Sequence, residues 1–186
     1  MKYLFRLAAA IALFALSACS NEKAIVFYQV SDPQFGFYTA NADFVYETGT
    51  FTKAVQAINA TLPDAVIYTG DIVHNHADSL QWGEFFRISS SVDSRVRQLS
   101  LPGNHDVRGR NGSVDLSQWT RYIGADRFCE RVGNVRFIGL DSNLYKYVEG
   151  SEADMEQRAW LEKALSESRK GEMTIVLAHH PFFLES

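Results

Sequence analysis

Four apolar runs of strand length, each closing on carboxylate, amide or imidazole side chains, constrain this chain more than any other feature. Ala24 to Val30 is rich in β-branched and aromatic residues and stops at Ser31-Asp32-Pro33-Gln34, where proline turns the chain out of regular structure. Ala65 to Thr69 runs into Gly70-Asp71-Ile72-Val73-His74, Val96 to Leu101 into Pro102-Gly103-Asn104-His105-Asp106, and Met173 to Ala178 into His179-His180-Pro181. Helical spacing separates them. Phe51, Ala54, Val55 and Ile58 mark a helix over Thr50 to Thr61, and Trp82 to Ile88, Leu116 to Ile123 and Asp154 to Ser168 read as three more. Val135 to Leu140 is a further strand. Strands alternating with helices predict an α/β fold covered on both faces, in which sites form beyond the carboxyl ends of the strands.

At 186 residues and 46% hydrophobic content, the chain can bury one packed core, and Trp82, Trp119 and Trp160 are expected in it. Its 18 basic against 22 acidic residues leave a net charge of -4, without the basic excess of a nucleic-acid binder, so no nucleic acid is expected as partner. The N-terminus obeys other rules. Lys2 and Arg6 precede the short apolar run Leu7 to Leu16, about half the roughly 20 residues of a membrane span. The pattern reads as a signal peptide over residues 1–18. Leu16-Ser17-Ala18-Cys19 resembles the lipobox of bacterial lipoproteins, which makes Cys19 the lipidated residue, 19–23 a lipid-anchored linker and 24–186 the folded domain. The expected place is the cell envelope, anchored to a membrane and facing the periplasm. The absence of Asp after the cysteine, where Ser20 stands, favours the outer membrane. Removal of the leader takes two basic residues and no acid, moving the net charge to -6. With Cys19 lipidated, Cys129 is the one thiol left and no intramolecular disulfide can form.

Each polar strand end is ordinary alone: an Asp before Pro is usually a turn, and a lone His is usually a satisfied polar residue. Together they are not. Carboxylate, amide and imidazole are the donors that hold Mn, Fe or Zn, and buried acids gathered at one sheet edge need a compensating cation. Gly70 and Gly103, lacking a Cβ, would let the backbone approach such a centre.

The ordered series of strand ends resembles the calcineurin-like metallophosphoesterases, whose blocks run Asp-x-His, Gly-Asp-x-x, Gly-Asn-His-(Asp/Glu), a later His and Gly-His-x-His. Four of the five occur here in order, over Ile25 to Leu184, and Gly103-Asn104-His105-Asp106 is the most specific. Ser-Asp-Pro-Gln-Phe-Gly and His-His-Pro-Phe-Phe look most like the branch of serine/threonine phosphatases named for a calcineurin-like phosphoesterase domain. The resemblance implies a four-layer α/β/β/α sandwich and two divalent ions (Mn, Fe or Zn). Asp32 would bind the first, Asp71 would bridge both, and Asn104 and His179 would bind the second. His105 would be the general acid or electrostatic stabiliser at the leaving oxygen, with Asp106 orienting its imidazole. Gln34, His74, His76 and His180 would support the ligands or face the substrate, and Arg108 or Arg110 could fork onto a phosphate. The implied reaction is hydrolysis of a phosphorylated substrate, a monoester by preference. The alternatives are a phosphodiesterase on the same motifs and a non-catalytic ligand-binding lipoprotein on a degraded scaffold.

Two departures stand out. Position 34 is Gln where the family usually has His, which removes or weakens a ligand to the first ion, although the related phosphatase branch also has Gln there. The Gly-His-x-His block is missing, and the sequence stops at Ser186 inside an apolar segment. The expectation is therefore a partial sandwich lacking its C-terminal strands, a segment weak or silent on its own beside an active longer parent.

Overall fold

The structure, a computed structural model, describes residues 24–110 and 113–181, without the side chains of 108–110. The leader, Cys19 and the linker to residue 23 lie outside the described residues. Within them no helix is long and apolar enough to cross a membrane.

Strands β1 (Phe27–Val30), β2 (Ala65–Tyr68) and β3 (Arg97–Ser100) form a parallel sheet in the order β1-β2-β3, with Phe27 opposite Ala65 and Ala65 opposite Arg97. Two crossover helices make that parallel pairing possible: α1 (Val45–Thr61) after β1 and α2 (Ser79–Ser89) after β2. Helix α1 begins five residues before the apolar spacing predicts, because its first turn carries Val45 and Tyr46 on the surface and so shows no inward periodicity. Asp78 caps α2 through a hydrogen bond from the Leu80 N–H.

A second sheet holds β6 (Phe128–Val132), β7 (Val135–Gly139) and β8 (Met173–Leu177), with β6 antiparallel and β8 parallel to β7. Helices α4 (Ser142–Tyr147) and α5 (Glu152–Ser166) connect β7 to β8. A small hairpin of β4 (Arg108–Arg110) and β5 (Ser113–Asp115) and the short α3 (Ser117–Tyr122) link the two sheets. Sequence periodicity does not reveal β4 to β6 and α4: β6 is half-buried and charged, and the others span less than two turns or three residues, too short for a period to register.

Alternation along β2 explains the layering. Val66 and Tyr68 pack on Phe51, Val55 and Ile58 of α1 and on Trp82 and Phe85 of α2. Ile67 points the other way and joins Leu99 against Val135 and Phe137 of β7, with Ile175 and Leu177 of β8 alongside. The outer face of β7 then meets Ala164, Trp160 and Leu161 of α5 through Ile138 and Leu140. The order through the domain is helices, sheet, sheet, helix. Trp82 and Trp119 are fully buried, while Trp160 is half-buried at the rim of the outer layer. Cys129 is a free thiol. This stacking brings the carboxyl ends of β1, β2, β3 and β8 to one edge.

Candidate metal centre

Beyond β1 and β2 the chain leaves its strands in parallel. The N–H of Asp32 donates to the carbonyl of Gly70 at 3.1 Å, and that of Gln34 to the carbonyl of Asp71 at 2.9 Å. Asp32, Gln34 and Asp71 have φ of 54°, 38° and 50°, a left-handed region that costs non-glycine residues energy and clusters at functional sites. Two glycines make the convergence possible. A Cβ on Gly103 would lie 2.2 Å from both the backbone N and Oδ1 of Asp71, and one on Gly70 would lie 2.5 Å from the N of Gly103.

Asp32, Asp71 and His179 each offer a ligand atom, all within 4.8 Å of one another. His179 Nε2 stands 3.5 Å from Asp71 Oδ1, and its Nδ1 is 2.9 Å from the carbonyl of Thr69. A carbonyl can only accept, so Nδ1 carries the proton and Nε2 turns its lone pair toward the carboxylates. Asp71 Oδ1 also accepts from the N–H of His105 at 2.8 Å. Burial pushes the Asp71 carboxyl above its ordinary value, and Asp32 adds to the rise, while the His105 N–H and the His179 and His105 imidazoles oppose it. Neither carboxylate pairs with Lys or Arg among the described residues. Two oxygen donors and one imidazole lone pair converging without a counter-cation fit a divalent ion such as Mn, Fe or Zn.

His105 lies beside this group. Its Nδ1 donates to the carbonyl of His74 at 2.9 Å, and its ring stacks on that of His74 at 4.7 Å between centroids. Nε2 is therefore the nitrogen left for exchange with a ligand. Burial lowers the His74 pKa from its ordinary value and His105 lowers it further, against the opposing pull of Asp71 and Glu47. Gln34 Nε2 reaches His74 Nδ1 at 3.5 Å, a long contact. His74, His76, Asn104 and His105 line an open cleft of about 250 Å³.

Asp106 takes a place other than the one expected of it. Its fully buried carboxylate accepts from the N–H groups of Ile72 (2.7 Å), Val73 (3.1 Å) and Gly103 (2.9 Å), joining the loop after β2 to the loop after β3. Burial pushes its pKa up to about 8 against those three donors. The acceptor on the His105 ring is the His74 carbonyl.

Asn104 Oδ1 meets His180 Nε2 at 3.2 Å, and His180 is held through its N–H and Nδ1 by the hydroxyl of Ser142 at 3.0 and 2.9 Å. Burial, then Lys146 and His179, bring the His180 pKa down to about 4, so its ring is neutral. Ser142, the Thr69 carbonyl and Gln81, whose Oε1 accepts from the N–H groups of His74 and Asn75, escaped sequence reading. None carries a motif, and only an Asp-Ser-Asn at the end of an apolar strand hinted at the first. Arg108 and Arg110 sit on β4, and their side chains lie outside the description.

Comparison with known proteins agrees with this geometry. Residues 25–185 match the family model for calcineurin-like phosphoesterases. The bovine serine/threonine-protein phosphatase CPPED1 is 30% identical over 195 residues, which cover 92% of this chain and 62% of that protein. The human CPPED1 phosphatase is 29% identical over 84% of this chain and 55% of its own length, so the chain spans little more than half of these curated relatives. Among solved structures, a dimetal phosphatase from Danio rerio superposes with a TM-score of 0.58 at 15% identity, covering 86% of this chain and 70% of that one. A purple acid phosphatase from yellow lupin seeds gives 0.57 at 19% identity, over 83% of this chain and 30% of its own. The two structures share the fold. With strand ends, converging ligands and family model in agreement over nearly all of its described length, the chain belongs to the calcineurin-like phosphoesterase family.

Proposed function

We propose that this chain carries the metal-dependent hydrolysis of phosphomonoesters, with two divalent ions as cofactor. The convergence of Asp32, Asp71 and His179 on one point carries the reading. Asp71 would be shared by the two ions, Asp32 would hold one, and Asn104 and His179 the other. Divalent ions held there would neutralise phosphoryl oxygens and acidify a water to a near-neutral pKa. The chain's own residues do the rest. Thr69 fixes the His179 tautomer, Asp106 clamps the two loops together, and the Ser142 and His180 pair steadies the Asn104 amide. His105, tied at Nδ1, exchanges a proton with the leaving oxygen through Nε2. The names of the CPPED1 relatives support a phosphorylated serine or threonine as the ester.

Manganese uptake and p-nitrophenyl phosphate hydrolysis with and without manganese test the reading. Hydrolysis is expected to require the metal, and His105→Gln to lower kcat about 100-fold while uptake persists. A chain that takes up no metal, or one whose hydrolysis ignores chelation, removes the proposal. We further propose that Cys19 anchors the chain to the envelope; labelling with a palmitate analogue that survives Cys19→Ala would refute the anchor.

A further inference from the structure

Between the end of β1 and the first turns of α1 lies a second pocket of about 180 Å³, and Asp32 forms part of its wall. Ser31, Thr50 and Glu47 complete its polar wall, and Glu47 is 3% exposed. Glu47 Oε1 accepts from the N–H of Tyr38 at 3.0 Å, and its Oε2 is buried with no hydrogen-bond partner among the described residues. Tyr38 and Tyr46 rim the pocket with ring centroids 4.2 Å apart, and at 64% and 57% exposed they are far more open to solvent than a packing role requires. Phe51 and Val30 form an apolar floor. None of the described residues lining the pocket is Lys, Arg or His. Two carboxylates, two open phenol rings and an apolar floor make a receptor for an organic cation, since ring faces and a desolvated carboxylate both attract positive charge.

The pocket connects with the candidate metal centre. Phe37, itself 51% exposed, packs edge-on against Tyr38 at 5.5 Å and against His74 at 5.6 Å, and His74 stacks on His105. A continuous aromatic ledge thus runs from the pocket to the imidazole pair. We propose that the pocket is a subsite for a cationic side chain, the lysine or arginine that flanks the phosphorylated residue of a peptide substrate. The proposal rests on the phosphoesterase reading above. The ledge supports the intervening peptide, while Glu47 presents Tyr38 and supplies a carboxylate apart from the ligands that would hold the ions.

Two measurements on the full chain test it. In the first, n-butylguanidinium and its neutral counterpart 1-pentanol are titrated into the metal-free protein. The guanidinium is expected to bind at least tenfold more tightly than the alcohol and to lose at least tenfold in affinity in both Glu47→Gln and Tyr46→Ala. Glu47→Gln keeps the acceptor for the Tyr38 N–H, and Tyr46 is surface-exposed, so both variants keep the fold. Equal binding of cation and alcohol overturns the subsite.

In the second, the unsubstituted protein with manganese is given phosphoserine peptides carrying arginine or norleucine at successive flanking positions. At one position or more, arginine is expected to lower KM at least tenfold with little change in kcat. Hydrolysis of all peptides with the same KM overturns the subsite and leaves the phosphoesterase reading intact. Glu47-dependent guanidinium binding in a protein that takes up no manganese and hydrolyses no peptide overturns the phosphoesterase reading, and with it the peptide as occupant.

Discussion

Asp71→Asn is expected to weaken manganese binding by about 100-fold or more while leaving the metal-free protein as stable as its parent, or more so. Loss of a partner outside the ligand sphere already costs 10–100-fold in many metal sites, so about 100-fold is a lower bound for a shared ligand. The amide keeps the volume of the carboxylate and keeps Oδ1 as acceptor for the His105 N–H. What disappears is a buried negative charge facing Asp32 without a Lys or Arg partner among the described residues. The pH dependence has a definite sign. Because burial raises the Asp71 carboxyl above its unfolded value, the metal-free fold binds that proton more tightly than the unfolded chain does. Its contribution is fully present below the unfolded pKa and is lost as pH rises through the folded one. Thermal melts in chelator across that window should fall with pH in the parent and fall less in Asp71→Asn. Calorimetric titration of manganese supplies the other half of the result. A variant that binds metal like the parent would show that Asp71 is not a ligand.

Gly103→Ala should damage the protein in the opposite way, by geometry with no change of charge. The added methyl would sit 2.2 Å from the Asp71 backbone N and 2.2 Å from its Oδ1, where contacts below 3.0 Å essentially never occur. Gly103 does not occupy the left-handed region, so the cost is steric, with no backbone strain added. The Asp71 carboxylate could turn aside, but its backbone N at the same distance cannot. The Asp71 loop is pinned by the Asp106 carboxylate on Ile72 and Val73, and by the Gln34 N–H on the Asp71 carbonyl. The expected loss is about 3 kcal/mol of unfolding free energy, the upper part of the range for overpacked interiors, together with manganese binding too weak to measure. Denaturant melts check the first and titration the second. A Gly103→Ala protein within 0.5 kcal/mol of its parent would mean that the loops after β2 and β3 do not meet as closely as described.

Local chemistry made much of this protein legible in its sequence. The β-branched runs at β1, β2, β7 and β8, the breaks at Pro33, Pro63 and Pro102, and the helical spacing of Phe51, Val55 and Ile58 are properties of short segments, and so survive reading one residue at a time. Asp32, Asp71, Asn104, His105 and His179 could be singled out because each stands in the short polar stretch that follows a strand, and the carboxyl ends of parallel strands share an edge whatever their order. Roles that depend on which loop meets which were not available there. Asp106 follows His105 directly and so invites the role of its orienter. Its three N–H partners lie across the fold, on Ile72 and Val73, and one turn back, on Gly103. Ser142 stands 38 residues from His180, and Glu47 becomes a pocket wall only once α1 folds back beside the end of β1. Sequence by itself determined the strands that carry the ligands, the order of their ends and the family they resemble, because those follow from side-chain chemistry and chain periodicity. Only the tertiary structure decided which nitrogen each imidazole presents, which carboxylate clamps loops and which faces a cavity, because these depend on hydrogen-bond partners tens of residues away that packing alone brings within 3 Å.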